Sequence, residues 1–267
     1  MTTATPDLLA TIVAAARRIV EVREAAKPPR ALIAEQARTP DGAAFERALR
    51  GNGKTGAPRV IAECKRRSPS RGILRADYDP AAHARAYADA GAVAVSVLTE
   101  PTFFDGAPDH LRQVRAAVDL PLLRKDFIVS EYQLIEATSL GADAVLLIVG
   151  ALEQTQLTML LRAAQQLSLA ALVEVHDSQE LHRAVDAGSR IIGVNSRNLR
   201  TLSVDREVLE RVAAELPADV TAVAESGIRT HADIDRLSRA GYHAFLVGER
   251  LIAQPDPAAA LRELLCA

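Results

Sequence analysis

Seven polar residues stand late in runs that are otherwise apolar. Glu63 and Lys65 lie two apart in VIAECKRR, Lys125 precedes Phe127 by two in PLLRKDF, and Glu174 closes in on the end of LVEVH. Asn195 and Arg197 are two apart in IIGVNSR, and Glu225 follows TAVA. A spacing of two puts both members of a pair on one face of a strand. A charge in such a run costs free energy unless paired, so each residue alone reads equally well as part of a rim salt bridge. Two Lys, three Glu, an Asn and an Arg converging on one mouth is a different matter. Packed together they shift each other's pKa values, which suits proton transfer to and from an anionic substrate.

Eight short runs rich in β-branched residues or Leu carry these groups: 60–66, 93–99, 121–127, 144–149, 171–176, 190–196, 221–226 and 244–248. Helical segments alternate with them, the pattern of a parallel sheet with crossover helices. Eight units in roughly 210 residues fit a (β/α)8 TIM barrel better than an open doubly wound sheet. Gly91, Gly141, Gly188 and Gly241 each stand just before a strand, where they would end the preceding helix in the left-handed conformation. Helix starts are marked by Asp79 before Pro80, Ser130 before Glu131, Asp177 with Glu180, and Thr230. Alternate strand residues then point inward, and function collects at the carboxyl ends.

Residues 1–57 fall outside this rhythm. Leu8, Leu9, Ile12, Val13, Ile19 and Val20 recur at helical spacing, KPPR breaks the pattern, and a second helix is expected from about Asp41 to Arg50. The expectation is an N-terminal helical extension packed on a catalytic barrel of residues 58–267. It serves equally as a lid beside the substrate or as a plug for the open floor.

Composition narrows the partners. Five Phe, four Tyr and no Trp in 267 residues, with a net charge of −2, leave neither stacking platforms nor a basic excess for nucleic acid, and no electrostatic attraction to a membrane. Cys64 and Cys266 form no paired framework, and no apolar stretch reaches transmembrane length, so a cytoplasmic protein is expected, for which a monomer is sufficient. GNGKTG at 51–56 spells G-x-G-x-x-G, but it follows a helix and precedes a strand, the reverse of a dinucleotide fingerprint, and Ala48 occupies the first glycine position of a phosphate loop. It reads as a connector.

The six His are scattered, and His176 and His182 are six apart, so no metal site is expected. Gly227 in SGI and Gly248 in VGE follow the last two strands, where barrels often cradle phosphate on backbone N–H groups. Tight turns alone would also explain them.

In order along the chain, IAECKRRSPSRG, SVLTEPTFFDG, LLRKDFIVSEYQ, ADAVLLIV, LVEVH, IIGVNSRNL, VAESGI and FLVGE resemble the strand-end motifs of the indole-3-glycerol phosphate synthase family. The resemblance runs from about residue 58 to the C-terminus. It implies a lyase of tryptophan biosynthesis that closes the pyrrole ring of 1-(2-carboxyphenylamino)-1-deoxyribulose 5-phosphate with loss of carbon dioxide and water, using no metal or organic cofactor. Matched by motif, Lys125, Glu174, Lys65, Glu63 and Asn195 carry the chemistry. Lys125 is the general acid of ring closure and Glu174 its principal partner.

The same matching gives substrate-binding roles to Ser68, Ser70, Arg197, Glu225 and Ser226. Phe104 and Phe127 wall the aromatic ring, and Leu98, Leu146 and Leu246 complete an apolar pocket. Arg197 supplies a fork for a carboxylate. Gly227, Gly248 and Glu249 hold the phosphate by main-chain N–H groups, a role in which the Glu249 side chain must turn away. Two departures stand out: Ala107, where the family usually has Ser, and Glu249, where some members have a smaller residue. Other phosphate-binding barrels of the pathway would be expected to use a Cys/Asp or Glu/Asp pair instead of two lysines. An inactive barrel that only binds a phosphorylated ligand is the alternative outside enzymes.

Overall fold

Eight parallel strands close on themselves, each hydrogen-bonded to the next in sequence: β1 (Val60–Cys64), β2 (Ala94–Leu98), β3 (Leu122–Lys125), β4 (Ala144–Ile148), β5 (Ala170–Val175), β6 (Ile191–Asn195), β7 (Thr221–Glu225) and β8 (Ala244–Val247). The computed structural model describes residues 7–51 and 57–266, so Gly53 and Gly56 of the connector lie outside the described residues. Closure is made by β8 against β1, with Val60, Ile61 and Ala62 opposite Phe245, Leu246 and Val247. The expected barrel is present. Its ladders stop one or two residues before most of the apolar runs do, which leaves Lys65, Phe127 and Arg197 on the loops just past strands β1, β3 and β6.

Parallel strands are covered on both faces, which is why they read as unbroken apolar runs. On β1, Val60, Ala62 and Cys64 join the core beneath the helices, while Ile61 points inward with Ala94, Leu123, Ala144, Leu172, Ile191, Val223 and Ala244. Cys64 Sγ lies 3.8 Å from the carbonyl of Pro80 on the helix side. Two residues further along five of these inward rows come Glu63, Lys125, Glu174, Glu225 and Gly193, so the apolar layer is the floor of the site.

The four helix-ending glycines have φ between +87° and +111°, as their positions predict. Asp79 accepts from Ala82 N at 2.9 Å, and Thr230 forms a reciprocal box with Asp233. Two expected caps differ. Ser130 makes no cap hydrogen bond and its hydroxyl is buried without a partner; Gln133 organises that turn, accepting from Val129 N at 2.8 Å and donating to Phe127 O at 3.0 Å. Asp177 does cap, accepting from Glu180 N at 2.8 Å, but the Glu180 carboxylate reaches back one residue further, to His176.

The extension has three helices rather than the one or two expected: α1 (Leu8–Ala26), α2 (Pro29–Glu35) and α3 (Gly42–Arg50). KPPR ends α1, yet Pro29 also opens α2, because proline suits the first helical position, where no N–H partner is needed. Both readings of the extension have a structural counterpart. Helix α3 plugs the floor: Phe45 and Leu49 are fully buried among the inward residues, Gly42 N donates to Ser168 O at 3.0 Å, and Arg50 Nε donates to Thr221 Oγ1 at 2.6 Å. Helix α1, roughly 28 Å long at the standard rise, packs its buried stripe of Leu9, Ile12, Ala16 and Val20 along the barrel side. Its cap residue Asp7 forms an ion pair with Arg200 in the loop after β6, at the substrate-side rim. Buried Asp143 ties the parts together, accepting from Arg38 at 2.7 Å, Asp41 N at 3.0 Å, Arg115 at 3.1 Å and Leu122 N at 3.0 Å.

Candidate active site

At the carboxyl ends of the strands a cavity of about 390 Å³ opens, and every site residue expected from the sequence lies on its wall. Glu63, Glu174, Glu225 and Asn195 are buried at its base. Lys65 Nζ lies 2.6 Å from Glu63 Oε1, and Lys125 Nζ lies 3.5 Å from Glu174 Oε2 and 3.7 Å from Glu225 Oε2. Two cations thus face three carboxyl groups.

That count forces the carboxyls apart in acidity. Burial pushes Glu225 up, the neighbouring Glu174 charge adds to it, and the outcome is a pKa of about 8 despite Lys125. Burial also opposes the Glu174 charge, but Lys125, His176 and Asn195 outweigh it and bring that pKa down to about 2. Glu63 is lowered as well: burial resists, and Lys65 and Lys125 prevail. Lys125 would be depressed by burial, yet Glu174, Glu225 and Glu63 raise it well above the usual lysine range. Near neutral pH the cavity therefore holds an ammonium at Lys125, a carboxylate at Glu174 and a neutral carboxyl at Glu225. Oppositely displaced acids within one site are what proton transfer requires.

Glycines make room for this cluster. A Cβ on Gly193 would collide with Glu225 Oε1, and one on Gly248 would collide with Glu63 Oε1 and come within 3.1 Å of Lys65 Nζ. Gly193 was not singled out from the sequence; its inward phase two residues before Asn195 was the available signal. Asn195 Oδ1 accepts from Arg197 N at 3.0 Å, which fixes the loop leaving β6.

The upper wall follows the expectations with one correction. Ser68 stands on a two-stranded ribbon, Arg67–Ser68 against Gly72–Ile73, in the loop after β1, and Ser70 in the turn that joins the two strands, with hydroxyls 3.4 Å apart. The rings of Phe104 and Phe127 have centroids 6.1 Å apart and face the cavity beside Leu98, Leu146 and Leu246. Phe103 packs in the apolar layer and is absent from the wall. Ser226 and Gly227 have consecutive positive φ values of 64° and 72°, a sharp turn on the same cavity wall as Gly248. The Glu249 side chain does not turn away. Its carboxylate is on the wall, 3.3 Å from Arg197 Nη2 and 3.9 Å from Arg71 Nη1, because those guanidinium groups are the nearest cations.

Sequence reasoning also missed cationic neighbours at this end, Arg71, Arg229 and Arg250. Loop residues show no periodicity that would reveal their direction. It weighed His176 only as a metal ligand. The ring instead lies between two carboxylates, Nδ1 at 2.9 Å from Glu180 Oε2 and Nε2 at 3.3 Å from Glu174 Oε1. Among the described residues, no group of three or more His, Cys, Asp or Glu could hold a metal ion.

The family model described as indole-3-glycerol phosphate synthase matches residues 9–264. An indole-3-glycerol phosphate synthase from Azospirillum brasilense is 46% identical over 260 residues, covering 97% of this chain and 99% of that one. One from Beutenbergia cavernae is 49% identical over 260 residues, with 97% and 95% covered. Indole-3-glycerol phosphate synthase 1 of Streptomyces coelicolor is 53% identical over 220 residues, with 82% and 80% covered. Among solved structures, thiamine phosphate pyrophosphorylase from Pyrococcus furiosus superimposes with a TM-score of 0.61 at 16% identity, covering 82% of this chain and 95% of that one. At that identity the likeness concerns the fold alone.

Proposed function

Since the chain belongs to the indole-3-glycerol phosphate synthase family, we propose that the cavity at its strand ends divides the family's reaction among Lys125, Glu174 and the Glu63–Lys65 pair. The protein is a ring-closing, decarboxylating lyase of tryptophan biosynthesis and acts on a phosphorylated small molecule. The observation that carries the assignment is the ammonium of Lys125 at 3.5 Å from a strongly acidic Glu174.

In the first step the aromatic carbon bearing the carboxylate attacks the ribulose carbonyl. The forming alkoxide takes a proton from Lys125 Nζ, which Glu174 and Glu63 keep charged and buried at the site. Carbon dioxide then leaves, and the electron pair of the broken bond restores the aromatic ring. Apolar walls from Phe104, Phe127, Leu98, Leu146 and Leu246 surround the ring and exclude water. In the last step the hydroxyl departs as water. Glu174 accepts the proton given up as the new double bond forms, and Lys65 Nζ, held beside Glu63, gives the departing hydroxyl the proton that makes it water. Asn195 stands beside the Glu174 carboxylate and favours its charged form.

Gly227, Gly248 and the main chain of Glu249 receive the phosphate, with Arg71, Arg229 and Arg250 supplying positive charge nearby. Arg197 takes the substrate carboxylate, Ser68 and Ser70 line the approach from the β1 loop, and Ser226 shapes the turn beneath the phosphate. A single chain supplies this whole wall, which supports a monomer as the working unit. Both cysteines are free, in keeping with a reducing cytoplasm.

The test is to supply 1-(2-carboxyphenylamino)-1-deoxyribulose 5-phosphate and follow indole fluorescence. The chain contains no Trp, so the protein background is small. Folded protein without turnover would refute the activity.

A further inference from the structure

The mechanism uses one face of Glu174, the Oε2 oxygen turned toward Lys125. Its other oxygen, Oε1, is buried without a hydrogen bond, and the nearest cationic group is His176 Nε2, 3.3 Å away and likewise buried without one. His176 is itself held from behind. Its Nδ1 lies 2.9 Å from Glu180 Oε2, and the same oxygen accepts the His176 backbone N–H at 2.9 Å. Two donors from one residue converging on one carboxylate oxygen fix both the backbone and the ring, and leave Nε2 facing Glu174 Oε1 as an ion-pair contact, with no hydrogen bond formed between them.

The backbone makes this arrangement possible. Asp177 takes over the cap of the helix Ser178–Asp186, which frees the Glu180 carboxylate to fold back toward the strand. Gly150, on the turn after β4, leaves space for it: a Cβ there would lie 2.7 Å from Glu180 Oε1. Glu180 also lines a second cleft, with Arg17, Glu153, Arg183 and Arg200, while Glu174 lines the substrate cavity. The three side chains therefore form a line from the outer cleft to the reacting centre.

We infer that His176, locked by Glu180, is the positioning residue that holds Glu174 rotated and ionised with Oε2 toward Lys125 and the substrate. The inference rests on Glu174 as the proton acceptor of the reaction. The electrostatics agree: burial disfavours the imidazolium, but Glu174 and Glu180 raise its pKa to about 10, so it is a cation at neutral pH. The groups facing Glu174 are then Lys125 on β3, Asn195 on β6, Glu225 on β7, Glu63 on β1 and His176 past the end of β5. His176 supplies the positive charge on the side opposite Lys125.

The experiment compares His176→Phe, His176→Gln, Glu180→Gln and Glu174→Gln by kcat and KM across the pH range, with thermal unfolding as the check on folding. His176→Phe is expected to lower kcat about tenfold or more, as loss of an orienting outer partner does, with KM within about twofold. Glu174 without its imidazolium protonates more readily, so kcat should fall on acidification at a pH higher by about one unit or more than in the wild type. His176→Gln restores a donor without the charge and should recover part of kcat but leave the acid limb displaced. Glu180→Gln, a partly exposed change that keeps an acceptor for the backbone N–H, should move the limb in the same direction by less, and it serves if His176→Phe does not fold.

A folded His176→Phe or Glu180→Gln protein with the wild-type kcat and pH profile, while Glu174→Gln is inactive, overturns the inference and leaves the role of Glu174 intact. An active Glu174→Gln protein overturns that role, and the inference with it.

Discussion

Arg197 spreads one terminal nitrogen over both oxygens of Glu249, each at 3.3 Å, and gives the other to Ser70 Oγ at 3.2 Å. The fork assigned to an incoming carboxylate already carries an internal one. If the substrate takes that fork it displaces or shares Glu249, and Glu249 then tunes the affinity of this end of the cavity. Glu249→Gln should lower KM about two- to tenfold at low salt, and Arg197→Ala should raise it with a smaller effect on kcat. Steady-state kinetics on both variants decide this: an unchanged KM in Arg197→Ala would remove Arg197 from substrate binding.

Lys125→Ala should lower kcat by about 10² or more, the scale of a lost general acid. The variant also removes a cation between Glu174 and Glu225, which should make both harder to ionise. Single-turnover measurement of ring closure is the direct check. Near-normal kcat would exclude Lys125 as the proton donor.

Glu225 makes stability depend on pH. Its folded pKa of about 8 lies above the ordinary 4.5, so its contribution is fully present below about 4.5 and is lost as pH rises through 8. Glu174 acts with the opposite sign, since its folded pKa of about 2 favours the native state above 4.5 and that gain disappears only on strong acidification. Glu225→Gln cannot ionise, so its melting temperature relative to the wild type should climb from pH 5 to pH 8. A difference that stays constant over this interval would show that Glu225 does not hold its proton in the folded protein.

Most of this site was legible because a barrel turns sequence phase into position. Glu63 and Lys65, Leu123 and Lys125, or Val223 and Glu225 reveal their direction by alternation alone. The residues that alternation cannot reach were the ones missed. Arg71 and Arg229 stand on loops and Arg250 on a short helix past β8, and the direction of the Glu249 side chain lay beyond the same reach; Gly193 has the right phase but no side chain to draw notice. His176 was hidden for another reason: its role depends on Glu180, and that pair spans a strand end and a helix start. The same limit applies to α2, where proline read as a break also begins a helix.

Ala107 is the cap residue of the helix Pro108–Ala117 and has extended backbone angles, but offers no side-chain oxygen to the first turn. Ala107→Ser should therefore stabilise the protein by about 0.5–2 kcal/mol, the usual worth of such a cap. Denaturant unfolding would register it as a higher midpoint at an unchanged slope. No gain would mean that Gly106 and the FFD turn hold position 107 away from cap geometry.

Helix α3 is synthesised before any of the surface it plugs. Gly42 awaits Ser168, and Arg50 awaits Asp219 and Thr221. At a translation rate of about 5–20 residues per second, Phe45 and Leu49 emerge from the ribosome roughly 6–25 s before the β5 end of their seat. The apolar face of α3 therefore stays without its seat over that interval, just as the edge of β1 stays unpaired until β8 arrives to close the barrel.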